Sequence, residues 1–223
     1  MAVILCIETA TTNCSVALSV NGSVVAFKED NPDGAHKKYS HAEKLHGYID
    51  DVLNSANINK NDVDAIAVSK GPGSYTGLRI GVSAAKGLCF SLDIPLLAIS
   101  TLQSLSMQVT NQPNTYIIPL LDARRMEVYS AVFSSEEQIR ETKAEILTQD
   151  SFSAYLNDRK TVFIGDGVTK FKELCTHSNA EFIENILPSA KQMGMISEKK
   201  FKTNDFEDVA YFEPYYLKDF IVG

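Results

Sequence analysis

The four cysteines of this 223-residue chain, Cys6, Cys14, Cys89 and Cys175, show no Cys-x-x-Cys spacing. Cys6 and Cys89 sit inside apolar patterns, which reads as reduced structural thiols in a reducing compartment. Long apolar runs are missing as well: the apolar start of the chain is broken by Glu8, far short of a signal core or of the ~20 residues that a membrane span needs. The expectation is a cytoplasmic protein without membrane contact. Positive charge is scarce, with 21 Lys and Arg against 28 Asp and Glu and a formal charge of −7. Phosphate backbones are gripped by clustered Lys and Arg, so any RNA contact is expected to need a partner. No Ser/His/Asp arrangement, His-Glu-x-x-His pair or Gly-x-Ser-x-Gly elbow can be read, which argues against a protease. No low-complexity tract or flexible linker interrupts the chain, and 44% hydrophobic content suffices for one large domain or two small ones.

What is present is a glycine-rich turn, Ser69-Lys70-Gly71-Pro72-Gly73-Ser74-Tyr75-Thr76-Gly77-Leu78-Arg79-Ile80-Gly81, between an apolar run of strand length and a helical pattern over residues 76–92. Backbone N–H groups at such a helix start can hold an anion, and Gly71, Gly73 and Ser74 are the weak candidates for anion or nucleotide binding. Two features oppose that reading. Neither a Walker lysine nor the third glycine of a dinucleotide fingerprint stands at its required spacing, and Pro72 removes one N–H from any cradle. The alternative is a turn needing positive φ, capped by Ser74 and followed by close helix packing.

Three strands in a meander are expected over residues 3–7, 14–20 and 23–27, with Asn21-Gly22 as the hairpin signal. Ser40-His41-Ala42-Glu43 has capping-box spacing. From there Leu45, Ile49, Val52, Leu53 and Ala56 form one stripe of an amphipathic helix. In the next helix Gly77, Gly81 and Ala85 place small residues four apart, so that another helix can come close. From about residue 106 the plan restarts: a strand over 116–121 ends in Asp122 as the first ends in Glu8, a strand over 127–133 returns, and a strand over 161–164 runs through Gly165-Asp166-Gly167 into a helix over 168–175. Two related α/β lobes follow, over 1–105 and 106–223, with the C-terminal segment packing back on the first.

Glu8 and Asp122, at corresponding strand ends, are expected to stabilise turns, and Arg124 and Arg125 to make surface salt bridges. His41 and His46, five residues apart, do not share a helical face, and with His36 they read as an exposed first turn and its preceding loop, or as contacts to another subunit. His177 suits a helix end.

Ile4-Leu5-Cys6-Ile7-Glu8-Thr9-Ala10 with Ser15-Val16-Ala17-Leu18, the glycine turn, Asp122-Ala123-Arg124, Gly165-Asp166-Gly167 and Glu213-Pro214-Tyr215-Tyr216-Leu217 together resemble the TsaB family, also called YeaZ, nearly end to end. The resemblance implies two actin-like (ribonuclease-H-like) lobes, each a mixed sheet flanked by helices. It also implies a place in the complex that makes threonylcarbamoyladenosine next to the tRNA anticodon, with the catalytic subunit TsaD and the ATPase TsaE as partners. In catalytic relatives a His-x-x-x-His pair after an Ile-Pro-Leu stretch holds iron or zinc; in that register this chain has Thr101 and Leu105, which cannot replace two imidazoles. The reading is a noncatalytic dimerisation subunit that requires no cofactor itself, ATP and the iron or zinc ion belonging to partner subunits. Its expected partner surface comprises Leu45, Ile49, Val52, Gly77, Leu78, Gly81 and Ala85, and a homodimer could use the same face. The alternative is an independent ATP- or metal-dependent enzyme of the actin-like superfamily.

Overall fold

The structure, a computed structural model, describes residues 1–31, 33–36, 38–109 and 112–218. The first sheet contains β1 (Val3–Glu8), β2 (Ser15–Val20), β3 (Ser23–Glu29), β4 (Ala65–Gly71) and β5 (Leu96–Ser100) in the order β3-β2-β1-β4-β5. Strand β1 is antiparallel to β2 and parallel to β4, and all six of its residues are buried. A strand covered on both faces has no polar side, which explains its unbroken apolar run. Asn21 and Gly22 both have positive φ and close the β2–β3 hairpin.

Helices α1 (His41–Ala56) and α2 (Tyr75–Leu92) follow β3 and β4. Each ends on a left-handed residue, Asn57 and Asp93. The expected capping box at Ser40 does not form: its side chain makes no cap hydrogen bond and donates to Asp30 instead. Short α3 (Thr101–Ser106) then packs against the first strand of the second sheet.

The second sheet is built from β6 (Tyr116–Asp122), β7 (Glu127–Ser134), β8 (Glu137–Ile146), β9 (Thr161–Gly165) and β10 (Ala180–Glu184), with α4 (Ser153–Leu156) and α5 (Val168–Lys172) among them. Its order, β10-β9-β6-β7-β8, repeats the first when read from β8. In each sheet an antiparallel meander of three strands is joined by two parallel ones. Finally α6 (Met193–Lys202) returns to pack against β1 and β5. Residues beyond it stay on the first sheet: Glu207 N–H donates to Leu96 O at 2.9 Å and Tyr215 N–H to Lys70 O at 2.7 Å.

Alternation along β1 assigns the layers. Val3, Leu5 and Ile7 face the core shared with α1 and α2, while Ile4 and Cys6 face that shared with Met193 and Ile196 of α6. In β6, Ile118 and Leu120 join the rings of Phe152, Phe163 and Phe171, and Ile117 and Leu121 join Leu102 and Leu105 of α3. Helix α3 thus packs its apolar face on the second sheet, at the junction of the lobes. Among the described residues no helix is long and apolar enough to cross a membrane.

Candidate functional site

The glycine turn is filled by the chain itself. Ser74 N–H donates to Ala10 O at 2.6 Å, and a Cβ on Gly73 would lie 2.7 Å from that of Ala10. Gly71, at φ 110°, would bring a Cβ to 2.7 Å from Tyr215 O. The positive φ and the two close approaches account for both glycines. Ser74 caps α2, its Oγ accepting from Gly77 N–H at 3.3 Å. The Ser74 amide is thus already bonded to the β1–β2 turn, and a donor satisfied by protein is not open to an anion.

The small-residue stripe of α2 also has an internal purpose. Cβ atoms built on Gly77 and Gly81 would fall closer than 3.0 Å to Thr9 O and Thr9 Oγ1 respectively, and Thr9 Oγ1 donates to Gly77 O at 2.8 Å. What comes close to Gly77 and Gly81 is therefore Thr9 of the β1–β2 turn. His41 is buried against Gly77, with its Nε2 donating to Thr11 O at 2.7 Å; it is not exposed as expected. Burial lowers its pKa, and Nδ1 has no partner among the described residues.

Glu8 and Asp122 play equivalent local roles. Glu8 Oε1 accepts from Ala10 N–H and Asp122 Oδ1 from Arg124 N–H, both at 2.6 Å and both two residues on. Glu8 is fully buried, its Oε2 has no partner among the described residues, and burial pushes its carboxyl up to about 7 against the N–H of Ala10, the Ser69 hydroxyl and the N–H of Thr9. Asp166 is raised to about 6, chiefly by burial, while its Oδ1 accepts from Asp122 N–H. Thr101 and Leu105 lie fully buried on α3, and the Thr101 hydroxyl has no partner among the described residues. A hydroxyl beside an isobutyl group is not a donor set for iron or zinc, and among the described residues no three His, Cys, Asp or Glu side chains group as metal ligands. All four cysteines are buried and free, and burial pushes Cys6, Cys14 and Cys89 up to about 12.

The expected partner stripe needs correction for the same reason. Leu45, Ile49, Val52, Leu78 and Ala85 are at most 2% exposed, and Gly77 and Gly81 are buried. Leu45, Ile49, Val52 and Ala85 belong to the core between these helices and their own sheet. Turning such side chains outward would forfeit about 1.5–3 kcal/mol each for Leu, Ile and Val. The opposite faces are the ones left open. His46 of α1 and Arg79, Ile80, Ser83, Ala84, Gly87 and Leu88 of α2 line a mostly apolar groove of about 560 Å³, and Phe90 beyond it is 87% exposed. Gly47 and Gly87, both inside helices, would place a Cβ in empty space. Their signal was present in the sequence: a helix-interior glycine off the buried stripe has no packing reason within its own lobe.

Arg124 and Arg125 form no salt bridge among the described residues, contrary to expectation, and both have positive φ, 69° and 50°, in the β6–β7 turn. Asp122 is instead paired with Lys170 at 2.7 Å and Glu127 with Lys218. His177 Nδ1 accepts from Asn179 N–H, serving the turn before β10.

One strand order used twice, helices on both faces of the first sheet and a turn at each acidic strand end define a two-lobed α/β protein with a mixed five-stranded sheet in each lobe. The family model described as "TsaD: tRNA N6-adenosine threonylcarbamoyltransferase" matches residues 31–222. The chain is 30% identical over 225 residues to the tRNA threonylcarbamoyladenosine biosynthesis protein TsaB of Escherichia coli, covering 97% of this chain and 94% of that one. It is 31% identical over 175 residues to the protein of the same name in Bacillus subtilis, covering 77% and 74%. A crystal structure of a Pseudomonas aeruginosa protein described as similar to peptidase YEAZ superposes with a TM-score of 0.82 at 25% identity, covering 98% of this chain and all of that one. The chain belongs to the TsaB (YeaZ) family, within the wider group that the TsaD model describes.

Proposed function

We propose that this chain is a noncatalytic docking subunit in the formation of threonylcarbamoyladenosine next to the tRNA anticodon, holding a TsaD-type catalytic subunit in its active arrangement. The name of its curated relatives supports the pathway. The open α1–α2 face carries the docking role. Gly47 and Gly87 each give up about 1 kcal/mol of helix stability relative to alanine, with nothing above them to explain it. Two helices of a partner laid into that groove would use the missing Cβ atoms and cover Ile80, Leu88 and Phe90. A second copy of this chain would fit the same face, so a homodimer would compete with the productive pair. ATP, the ATPase TsaE and the iron or zinc ion enter through the partners, and tRNA is reached only through the complex. Support for a noncatalytic chain comes from the Ser74 amide bonded to Ala10 and from Thr101 and Leu105 buried on α3.

Gly87→Leu tests this directly, because Gly87 is exposed and a Cβ there meets nothing within 4 Å. The variant is expected to melt no lower than the parent while binding a purified TsaD-type partner at least roughly tenfold more weakly in a calorimetric titration. Unchanged affinity for Gly87→Leu and for Phe90→Asp would refute the docking face.

A further inference from the structure

A second hollow, of about 410 Å³, opens where the first lobe meets β8, and it is polar. Lys70, Ser100, Gln103, Lys200 and Tyr215 line it from the first lobe and its C-terminal return, Gln138, Glu141 and Thr142 from β8. Glu8, Asp122, Asp166 and the residues of the α1–α2 groove are not among its walls. Its size falls within the range of small-molecule sites, roughly 300–1,000 Å³.

Lys70 is the informative residue. The β4–β5 register shifts between Ser69 and Gly71, so Lys70 is the extra residue of a bulge, a device that re-aims a side chain out of its strand's alternation. Its backbone is fixed from the other side by Tyr215 N–H on Lys70 O at 2.7 Å. The side chain is half-buried, yet among the described residues its ammonium has neither an ion pair nor a hydrogen bond. Among the described residues the Gln103 amide, the Thr142 hydroxyl and the Tyr215 hydroxyl on the same walls also have no hydrogen-bond partner. Lys200 is neutralised by Asp205, and Glu141 is exposed on β8. An unpaired cation with amide and hydroxyl donors around it is a receptor for an oxyanion, because charge-assisted hydrogen bonds to such a group are the strong ones.

We infer that this cleft binds a small organic oxyanion, a phosphate ester or a carboxylate of about sugar-phosphate size. The anionic group sits on Lys70, flanked by the Gln103 amide and the Thr142 hydroxyl. Glu141 is positioned to accept from a hydroxyl or amine on the body of the ligand. Because its walls come from both lobes, occupation would also tie β8 to the first lobe.

The test is a two-dimensional amide NMR titration of the whole chain with ribose 5-phosphate in one arm and citrate in the other. At least one probe is expected to shift Gln103 and Thr142 with a dissociation constant in the millimolar range or tighter. Lys70→Gln should weaken that binding by roughly tenfold or more, the loss of one charge-assisted hydrogen bond. Thr142→Val should weaken it severalfold, and Lys143→Gln, which removes a neighbouring exposed charge outside the cleft, should leave it unchanged. Amide spectra of the free variants establish that each is folded. Which arm responds decides between phosphate and carboxylate. Absence of shifts at the cleft with both probes, equal affinity in a folded Lys70→Gln, or an equal loss in Lys143→Gln overturns the inference.

Discussion

Two alanine substitutions in one helix should act in opposite directions. Gly81→Ala puts a Cβ closer than 3.0 Å to Thr9 Oγ1 and 3.3 Å from Thr9 Cβ. The Thr9 side chain is fully buried and cannot move aside without giving up its hydrogen bond to Gly77 O. A buried hydroxyl left unsatisfied costs about 1–3 kcal/mol, and forcing a methyl into a filled space costs about 1–3 more. Helix propensity returns about 1 kcal/mol, so the net is a destabilisation of about 3 kcal/mol. Gly87→Ala meets nothing within 4 Å and should gain the propensity term alone, about 1 kcal/mol. Urea unfolding followed by circular dichroism measures both. A cycle with Thr9→Ala adds a check: once Oγ1 is gone, Gly81→Ala should cost at least about 1 kcal/mol less than in the parent. If Gly81→Ala is neutral, or Gly87→Ala destabilises, the division of α2 into a face against Thr9 and an open face is wrong.

Glu8 should impose a pH dependence. Its carboxyl is raised to about 7 when folded, so the folded state keeps a proton that the unfolded chain has released. Stability attributable to this group is fully present below about 4.5, falls as pH rises toward about 7 and flattens above it. The shift corresponds to roughly 3 kcal/mol, and Glu8→Gln should remove it. His41, whose pKa burial lowers from 6.5, contributes stability that is lost as pH falls below 6.5, so the readout is variant minus parent in urea melts across this range. A difference that does not change with pH would contradict the burial argument. Arg124→Gly should stabilise by up to about 1 kcal/mol, because a left-handed backbone costs a side chain roughly that much; a lower melting temperature would show that the guanidinium makes a stabilising contact.

The period of the sequence reveals which face of a helix is buried, but not what covers it. Leu45, Ile49 and Val52 are a legible stripe, and in an α/β lobe the cover is the lobe's own sheet. The same holds for Gly77 and Gly81, where close approach was readable and its partner, Thr9, lay about 70 residues away in the chain. Ser40 carried a local capping signal that lost to a tertiary acceptor, Asp30. The meander of β1 to β3 was readable because Asn21-Gly22 fixes its turn and β1 is covered on both faces. Strand β8, Glu-Gln-Ile-Arg-Glu-Thr-Lys-Ala-Glu-Ile, gives no comparable apolar signal, because a charged edge strand is largely wetted. Helix α6 has few apolar residues, and it is placed by contacts such as Gly194 against Gly22 O that no local pattern announces. The oxyanion cleft was hidden for a similar reason: the bulge at Lys70 depends on pairing with β5, and Gln138, Glu141 and Thr142 of its wall come from β8.

The most direct test of the docking account is a reconstituted tRNA modification assay containing a TsaD-type subunit, TsaE, ATP, threonylcarbamoyl-adenylate and tRNA, with this chain omitted, added as the parent or added as Gly87→Leu. The account predicts threonylcarbamoyladenosine only when the parent chain and the TsaD-type subunit are both present, with Gly87→Leu failing although folded. Product formed by this chain without the TsaD-type subunit, or full activity with Gly87→Leu, would contradict it.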